Sequence, residues 1–142
     1  MSKLLKFSAI NQDGKIRDCD GFGCGHFGAS RGTRTHKGLD FAFAVGGAVL
    51  APFPCKVTRH GYPYADDLTY RLVECVGLGA YSDYRFKVMY VKELPTIGRE
   101  FKEGEILCKA DDISSKYGSS MTNHVHFELY IKNELVNPTF LI

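Results

Sequence analysis

The chain has 142 residues, of which 44% are hydrophobic and 24% charged, and a formal net charge of +2. This ordinary globular composition predicts a single domain over residues 1–142, with residues 1–18 as an extended lead-in. Basic and acidic residues are interspersed, which argues against a nucleic-acid or anionic-membrane surface. There is no run of about 18 or more apolar residues, so no membrane span is expected. The N-terminus lacks the apolar core of a secretory signal. We therefore expect either that the protein is not exported by the secretory-signal route or that a signal has already been removed.

The five cysteines are an odd number, which leaves at least one free thiol. Cys19 and Cys24 enclose Asp-Gly-Phe-Gly, a segment able to close into a small loop, and they are a plausible disulfide. Cys55 and Cys75 lie in strand-like segments and are a second candidate pair, although spacing cannot establish bridging range. No C-x2-C pair is present, which argues against a cysteine-ligated zinc. The cysteines therefore favour oxidising surroundings.

Short alternating segments, separated by glycine and proline, recur along the chain. A turn is predicted over residues 11–14, and residues 19–38, which contain six glycines, predict a long ordered loop of the kind that is usually functional. Predicted strands lie at 39–45, 48–51, 55–60, 68–76 and 84–91, at two short segments within 97–107, from His124 onward, and after a hairpin turn at Lys132–Asn133. In the first strand, Leu39, Phe41, Phe43 and Val45 are expected on one face. Residues 110–121 are polar and predict one helical turn. Because 3.6-residue periodicity is almost absent, we expect an all-β domain.

The segment Thr122–Leu129 alternates between polar and apolar residues without a break. His124, His126 and Glu128 fall on one side, and the apolar residues Val125, Phe127 and Leu129 fall on the other. On a β-strand, residues two apart lie about 6.5 to 7 Å apart on the same face. Two imidazoles at this spacing are candidates for metal ligation or acid/base chemistry.

A second polar cluster, His36-Lys37-Gly38-Leu39-Asp40, lies far away in the sequence. His36 is expected to end the glycine-rich loop and Asp40 to open the next strand, so that both side chains point into one cleft. Two histidines and an aspartate with one open position make a catalytic zinc site, in which the remaining histidine of the H-x-H strand can take or give a proton. The absence of cysteine from this set argues against copper electron transfer. From the residues alone, His26 or His60 could replace any member.

The combined pattern resembles the lysostaphin/LytM-type zinc metallopeptidases over residues 21–142. The matching segments are Phe27-Gly-Ala-x-Arg31, His36-x-Gly38-x-Asp40, Ala51-Pro52, Gly98-x-x-Phe101-x-x-Gly104, His124-Val-His126-Phe-Glu128 and Val136-Asn-Pro138. The resemblance implies a compact antiparallel sheet that floors a cleft, with one zinc ion bound by His36, Asp40 and His126. It also implies that His124 is catalytic and that the substrate is a peptide cross-link of bacterial peptidoglycan.

One departure from that family concerns a further catalytic histidine on a central strand. The corresponding region reads Val88-Met89-Tyr90-Val91-Lys92, and no histidine lies between His60 and His124. Counting from Gly98 places Tyr90 at the missing position, whereas counting from the tyrosine of the family motif places Lys92 there. We favour Tyr90, whose hydroxyl can donate a hydrogen bond to an oxyanion but is not a base near neutral pH.

The same departure occurs in the leukocyte cell-derived chemotaxin branch, which this chain resembles locally. The shared segments are Arg17-x-Cys19-Asp20-x-x-Gly23-Cys24-Gly25, His36-Lys37-Gly38-x-Asp40, Met89-Tyr90-Val91-Lys92 and His124-Val125-His126. This resemblance implies a Cys19–Cys24 disulfide and a zinc site without peptidase activity. The other cysteines, Cys55, Cys75 and Cys108, do not match those of that branch, and the ending that starts Phe127-Glu-Leu-Tyr-Ile-Lys resembles the bacterial and phage enzymes.

Two functions follow from these resemblances. The first is a zinc endopeptidase acting on peptidoglycan, either extracellular or virion-associated. The alternative is an inactive zinc module that recognises a glycan, a peptide or a receptor.

Overall fold

The computed structural model describes residues 4–17, 19, 24–31, 34–114 and 121–142. The fold is all-β, as predicted, and the described residues form eleven strands and two short 3-10 helices. The strands are β1 (Ser30–Arg31), β2 (Arg34–Thr35), β3 (Leu39–Ala42), β4 (Ala48–Leu50), β5 (Cys55–Gly61), β6 (Arg71–Gly77), β7 (Tyr84–Lys92), β8 (Glu100–Phe101), β9 (Ile106–Ala110), β10 (His124–Ile131) and β11 (Glu134–Val136). The 3-10 helices span Gly79–Tyr81 and Pro138–Leu141. Across the described ranges, no helix has the length and apolar character needed to cross a membrane.

One antiparallel sheet contains nine of these strands. Its main path runs β11-β10-β7-β6-β5-β8, while β3 pairs with β10, and β9 pairs with both β4 and β7. Strand β10 is central, because β3 pairs with its first half, β7 pairs with it from His126 onward, and β11 pairs with its last three residues. The predicted hairpin turn at Lys132–Asn133 connects β10 to β11, and both of its residues have positive φ, as type I′ hairpin turns require.

The hydrophobic core lies on one face of this sheet. The odd-numbered residues of β10 supply Val125, Phe127 and Leu129, each with 0% exposure. Rings on other elements surround Phe127: the centroid of Phe86 lies 5.7 Å away and that of Phe41 5.9 Å away. Burial of these aromatic and branched side chains is the main driving force that holds β10 in its register.

The lead-in segment packs onto the same core. Phe7 and Ile10 are buried, and the backbone N–H of Phe7 donates to the carbonyl of Leu141. The predicted turn follows, with Gly14 at φ 70°. Within the glycine-rich loop, β1 and β2 form a small separate hairpin, which the sequence did not predict.

Two strand boundaries differ from the prediction. β3 ends at Ala42, and Val45 is 51% exposed rather than buried beside Phe41, because the chain turns at Gly46 with φ 80°. β6 begins at Arg71 rather than residue 68, since the Asp67 carboxylate accepts from the N–H of Thr69 and forms a turn there. Most of the helical turn expected within 110–121 lies outside the described residues.

The cysteines fall into two groups. Cys19 and Cys24 form a disulfide at the start of the loop, whereas Cys55, Cys75 and Cys108 are buried free thiols. Burial raises the pKa of the Cys108 thiol to about 12, so this thiol stays protonated and poorly nucleophilic at neutral pH.

Candidate metal centre

Three side chains from distant parts of the chain converge at one end of β10. The Nε2 atom of His36 lies 3.0 Å from Oδ1 of Asp40 and 2.9 Å from Nδ1 of His126, and that Nδ1 lies 2.9 Å from the same Oδ1. All three residues are buried. Within the described part of the chain, this is the one group of three or more metal-ligand side chains whose donor atoms come together.

The backbone brings these ligands together in two ways. Asp40 of β3 is directly opposite His126 of β10 in the antiparallel ladder, so the two side chains project side by side from the same face. His36 reaches them through a tight approach at Gly38. A Cβ atom at Gly38 would collide with the carbonyl oxygen of Phe127 and would lie 3.0 Å from Nε2 of His126. Glycine is therefore required between His36 and Asp40 for the loop to close onto β10.

The donor set fits a cation. Nδ1 of His36 lies 3.0 Å from the carbonyl oxygen of His26, which can only accept, so this nitrogen carries the proton and Nε2 keeps its lone pair in the neutral ring. Nε2 of His36 therefore faces the Asp40 carboxylate as a second acceptor. Acceptor atoms this close require a positive charge between them, supplied either by a metal ion or by a proton on a ring nitrogen.

The surrounding charges show how the buried aspartate is tolerated. Nη1 of Arg17 lies 2.8 Å from Oδ2 of Asp40, and both side chains are almost fully buried. Burial by itself would raise the pKa of Asp40, but its side-chain contacts with His126 and His36 outweigh burial and hold that pKa far below its usual range. Asp40 is therefore ionised, with Oδ1 directed at the two histidines and Oδ2 held by Arg17.

His124 lies beside this cluster, but its ring is farther from Asp40 than the rings of His36 and His126 are. Its Nε2 atom is 3.5 Å from Oδ2 of Asp40, and its Nδ1 donates to the carbonyl of Thr122 at 2.8 Å. Burial lowers the pKa of His124, so the ring is neutral at pH 7. A neutral ring with Nδ1–H engaged presents Nε2 as a proton acceptor.

Tyr90 is the residue that faces His124. The two ring centroids lie 5.5 Å apart with the planes at 87°. Tyr90 sits at an irregularity of β7, where Met89 pairs with Leu72 and Val91 with Arg71, and its φ is 71°. A β-bulge of this kind redirects a side chain and is common next to active sites.

A second tyrosine, which the sequence did not single out, completes this wall of the cleft. The hydroxyl oxygen of Tyr64 lies 2.8 Å from that of Tyr90. The ring of Tyr70 packs edge-on against both, at centroid distances of 6.2 Å and 6.1 Å. The cleft has a volume of about 510 Å³, and its walls include Tyr64, Tyr90, Met89 and Met121.

The other histidines lie apart from the ligand atoms. The ring of His60 is engaged by the carbonyl of Pro95 at 2.6 Å. His26 contributes its backbone carbonyl to His36, while its own side chain is exposed. Lys92, the alternative to Tyr90, pairs with Lys109 of β9 and is absent from the cleft wall.

Comparison with known proteins identifies the family. A scan against models of protein families finds no match. Leukocyte cell-derived chemotaxin-2 from Bos taurus is 30% identical over 125 residues, covering 88% of this chain and 78% of that protein. A zinc-containing peptidase from Vibrio cholerae has a TM-score of 0.65 at 20% identity, covering 94% of this chain and 39% of that one. The catalytic domain of lysostaphin from Staphylococcus simulans has a TM-score of 0.62 at 21% identity, covering 86% of this chain and 90% of that one.

The two solved structures establish the fold of this chain. The match covers less than half the length of the Vibrio protein. The chemotaxin relative, matched over most of its length, establishes kinship in sequence. The chain therefore belongs to the family of the leukocyte cell-derived chemotaxins and has the fold of the lysostaphin-type peptidases.

Proposed function

We propose that this chain is a zinc-binding peptidase-like domain that acts as a metalloendopeptidase on the peptide cross-links of bacterial peptidoglycan. The observation that carries the proposal is the convergence of Nε2 of His36, Oδ1 of Asp40 and Nδ1 of His126 at the floor of an open cleft. Zinc is the metal we assign, because two imidazoles and one carboxylate with an open position are its usual catalytic ligand set.

The chain's own residues supply the remaining parts of a hydrolytic site. When bound, zinc would contribute Lewis-acid activation of water and of a peptide carbonyl. His124 is neutral and offers Nε2 toward the ligand cluster, so it is placed to accept a proton from the attacking water and return it to the leaving amine. The hydroxyls of Tyr64 and Tyr90 lie in the wall of the same cleft, where a hydroxyl can donate to a carbonyl oxygen that gains negative charge.

The test is amine release by purified protein loaded with one equivalent of zinc. Peptidoglycan and a polyglycine peptide are the substrates, and new amino groups are counted with and without a chelator. We expect release that requires zinc and falls by about 100-fold or more in His124→Ala, the range over which a positioned acid/base group contributes. Zinc-loaded protein that releases no amine from either substrate would contradict the peptidase proposal.

A second function is favoured by one observation, the tyrosine beside His124. The resemblance in sequence implies that Tyr90 stands where active peptidases carry a histidine, and that the chemotaxin branch has the same departure. The alternative proposal is therefore a zinc-containing module that recognises a glycan, a peptide or a receptor without cleaving it. Stoichiometric zinc, no amine release, and peptidoglycan binding that survives His124→Ala would support the module and exclude the enzyme.

We also propose an oxidising location, outside the cell or on a virion. The Cys19–Cys24 disulfide supports this placement, since disulfides persist mainly in such compartments. The three remaining cysteines are buried, which protects their thiols from the same surroundings.

A further inference from the structure

Three alternate residues of β10 form a continuous chain of side-chain contacts that leads away from the cluster. Nε2 of His126 lies 2.8 Å from Oε2 of Glu128, and the hydroxyl of Tyr130 donates to Oε1 of Glu128 at 2.7 Å. Residues two apart on a strand share a face. One strand therefore holds the imidazole of His126, the carboxylate of Glu128 and the hydroxyl of Tyr130 side by side. The outer partners of His36 and Asp40 lie on other parts of the chain: His36 contacts the carbonyl of His26, and Asp40 contacts Arg17.

Glu128 is held in this chain despite its burial. It is 8% exposed, and a carboxylate at such a position is stable only when its oxygens have partners. Oε2 of Glu128 faces Nε2 of His126 and Oε1 accepts from the hydroxyl of Tyr130, so each carboxylate oxygen has a partner.

Tyr130 is itself held by cations from the adjacent strand. The guanidinium carbon of Arg85 lies 4.3 Å from the centroid of the Tyr130 ring, and Nζ of Lys87 lies 5.4 Å from it. Arg85 and Lys87 are directly opposite Tyr130 and Glu128 in the β7–β10 ladder. The contact chain is thus anchored by cation–π contacts at its outer end and by His126 at its inner end.

We propose that Glu128 and Tyr130 are positioning residues of the metal centre, in which Glu128 fixes Nδ1 of His126 as the ligand atom and Tyr130 fixes Glu128. This inference rests on the proposed zinc site. A histidine that binds metal through one nitrogen needs the other nitrogen protonated and oriented, and a carboxylate partner does both while raising the basicity of the ligand nitrogen. Without Glu128, the proton of His126 could move to Nδ1 and the ring could rotate away.

The experiment measures zinc affinity by competition with a chelator of known affinity. The variants are Glu128→Gln, Glu128→Ala and Tyr130→Phe. Glu105→Gln is the carboxylate control, because Glu105 accepts from the backbone N–H of Lys102 just before β9, a strand that does not pair with β10. Tyr81→Phe is the hydroxyl control, because its hydroxyl donates to the carbonyl of Lys6. Circular dichroism confirms that each variant is folded before titration.

We expect weaker zinc binding by about 10-fold in Glu128→Gln and about 100-fold in Glu128→Ala, the range measured for such outer partners. Tyr130→Phe should weaken it less, and both controls should bind as the parent protein does. A second readout is the imidazole 15N chemical shifts of His126 in the zinc-loaded protein. They should report a single Nε2–H tautomer in the parent and a loss of that signature in Glu128→Ala.

The outcomes separate this inference from the function on which it rests. Parent protein that binds zinc, together with folded Glu128 variants of unchanged affinity and tautomer, would overturn the role of Glu128 alone. Parent protein that binds no zinc would overturn the metal site and the positioning role together. If Glu128→Ala does not fold, the near-isosteric Glu128→Gln and the tautomer of His126 in that variant decide the question.

Discussion

The hydroxyl oxygens of Tyr64 and Tyr90 lie 2.8 Å apart, and the Tyr90 ring stands almost perpendicular to that of His124. Tyr64 lies between β5 and β6 and Tyr90 on β7, so the contact joins two elements of the cleft wall. This wall contains a hydrogen-bond donor pair where a second base would be expected. The residue at position 90 should therefore decide whether the cleft can catalyse peptide hydrolysis.

Replacing Tyr90 by histidine should raise peptidase activity. Histidine is one of the non-glycine residues that tolerate positive φ, so the backbone at φ 71° can accept it. A second imidazole beside His124 would add acid/base catalysis, with an expected gain of about 100-fold or more in the rate of amine release.

Met89→His is the control for that gain, since Met89 precedes Tyr90 on β7 and also lines the cleft. It should leave the rate near that of the parent protein. Equal rates in the parent, Tyr90→His and Met89→His proteins, all zinc-loaded, would show that position 90 does not limit activity.

Replacing His36 by alanine should remove the stabilisation that zinc confers. A ligand present at about 1,000 times its Kd stabilises the native state by about 4 kcal/mol, which corresponds to roughly 10 °C in Tm for a domain of this size. We expect that shift in the parent protein and little or none in His36→Ala, measured by thermal melts with zinc and with chelator.

His26→Ala is the matched control for His36→Ala, because His26 contributes only its backbone carbonyl to the site. The zinc-dependent shift in Tm should persist in this variant. Loss of the shift in both variants, or in neither, would contradict the assignment of His36 as a ligand.

Replacing Arg17 by methionine should destabilise the metal-free protein strongly. The Arg17–Asp40 contact is 2.8 Å long with side-chain exposures of 2% and 3%, so the change leaves a buried carboxylate without its guanidinium partner. Removing one member of such a pair costs about 3–5 kcal/mol, measured as the free energy of unfolding in urea with chelator present.

Arg59→Met is the control, because it removes an exposed arginine–carboxylate pair of nearly the same length as Arg17–Asp40. Nη2 of Arg59 lies 3.0 Å from Oε1 of Glu74, but its side chain is 50% exposed. Exposed ion pairs contribute about 0–1 kcal/mol, so this variant should unfold close to the parent protein. Similar losses in the two variants would show that burial does not control the strength of the Arg17–Asp40 pair.

The stabilisation by zinc should grow as pH rises from about 6.5 to 9. Burial alone would lower the pKa of His126 in the metal-free protein, but its hydrogen bonds to Asp40 and Glu128 outweigh burial and raise that pKa to about 9. A raised folded pKa stabilises the metal-free protein fully below the ordinary value of about 6.5, and this stabilisation is lost as pH rises through about 9.

Zinc has the opposite requirement, since it binds the deprotonated ring. Melting curves of zinc-loaded and chelator-treated protein should therefore separate further with each step in pH across this window. A difference in Tm that is constant or shrinks with rising pH would contradict competition between zinc and a proton for His126.

The sequence predicted those parts of the site that depend on local periodicity. His124 and His126 alternate with core residues on one strand, and a strand pattern with imidazoles on its polar face can be interpreted without knowledge of the tertiary fold. The close approach of Gly38 to this strand was not predicted, because it depends on the carbonyl of Phe127, which is far away in the sequence.

The rest of the site depends on contacts made across the fold. Arg17 was noted only as part of a segment shared with the chemotaxins and Tyr64 was not noted at all, because only the tertiary arrangement places them against Asp40 and Tyr90. Counting from Gly98 favoured Tyr90 and counting from the tyrosine of the family motif gave Lys92, whereas the structure places Tyr90 in the cleft wall and Lys92 beside Lys109. The exposure of Val45 was missed because an early turn ended the strand.

The direct opposition of Asp40 and His126 across the β3–β10 ladder also bears on how the ion would arrive. Two of the three ligands are fixed by backbone hydrogen bonds and by the core beneath Phe127, so little conformational entropy remains to be lost when a cation binds. Uptake should then depend mainly on dehydration of the ion and on the approach of His36. Folding of the sheet and assembly of the site are, for these two residues, the same event.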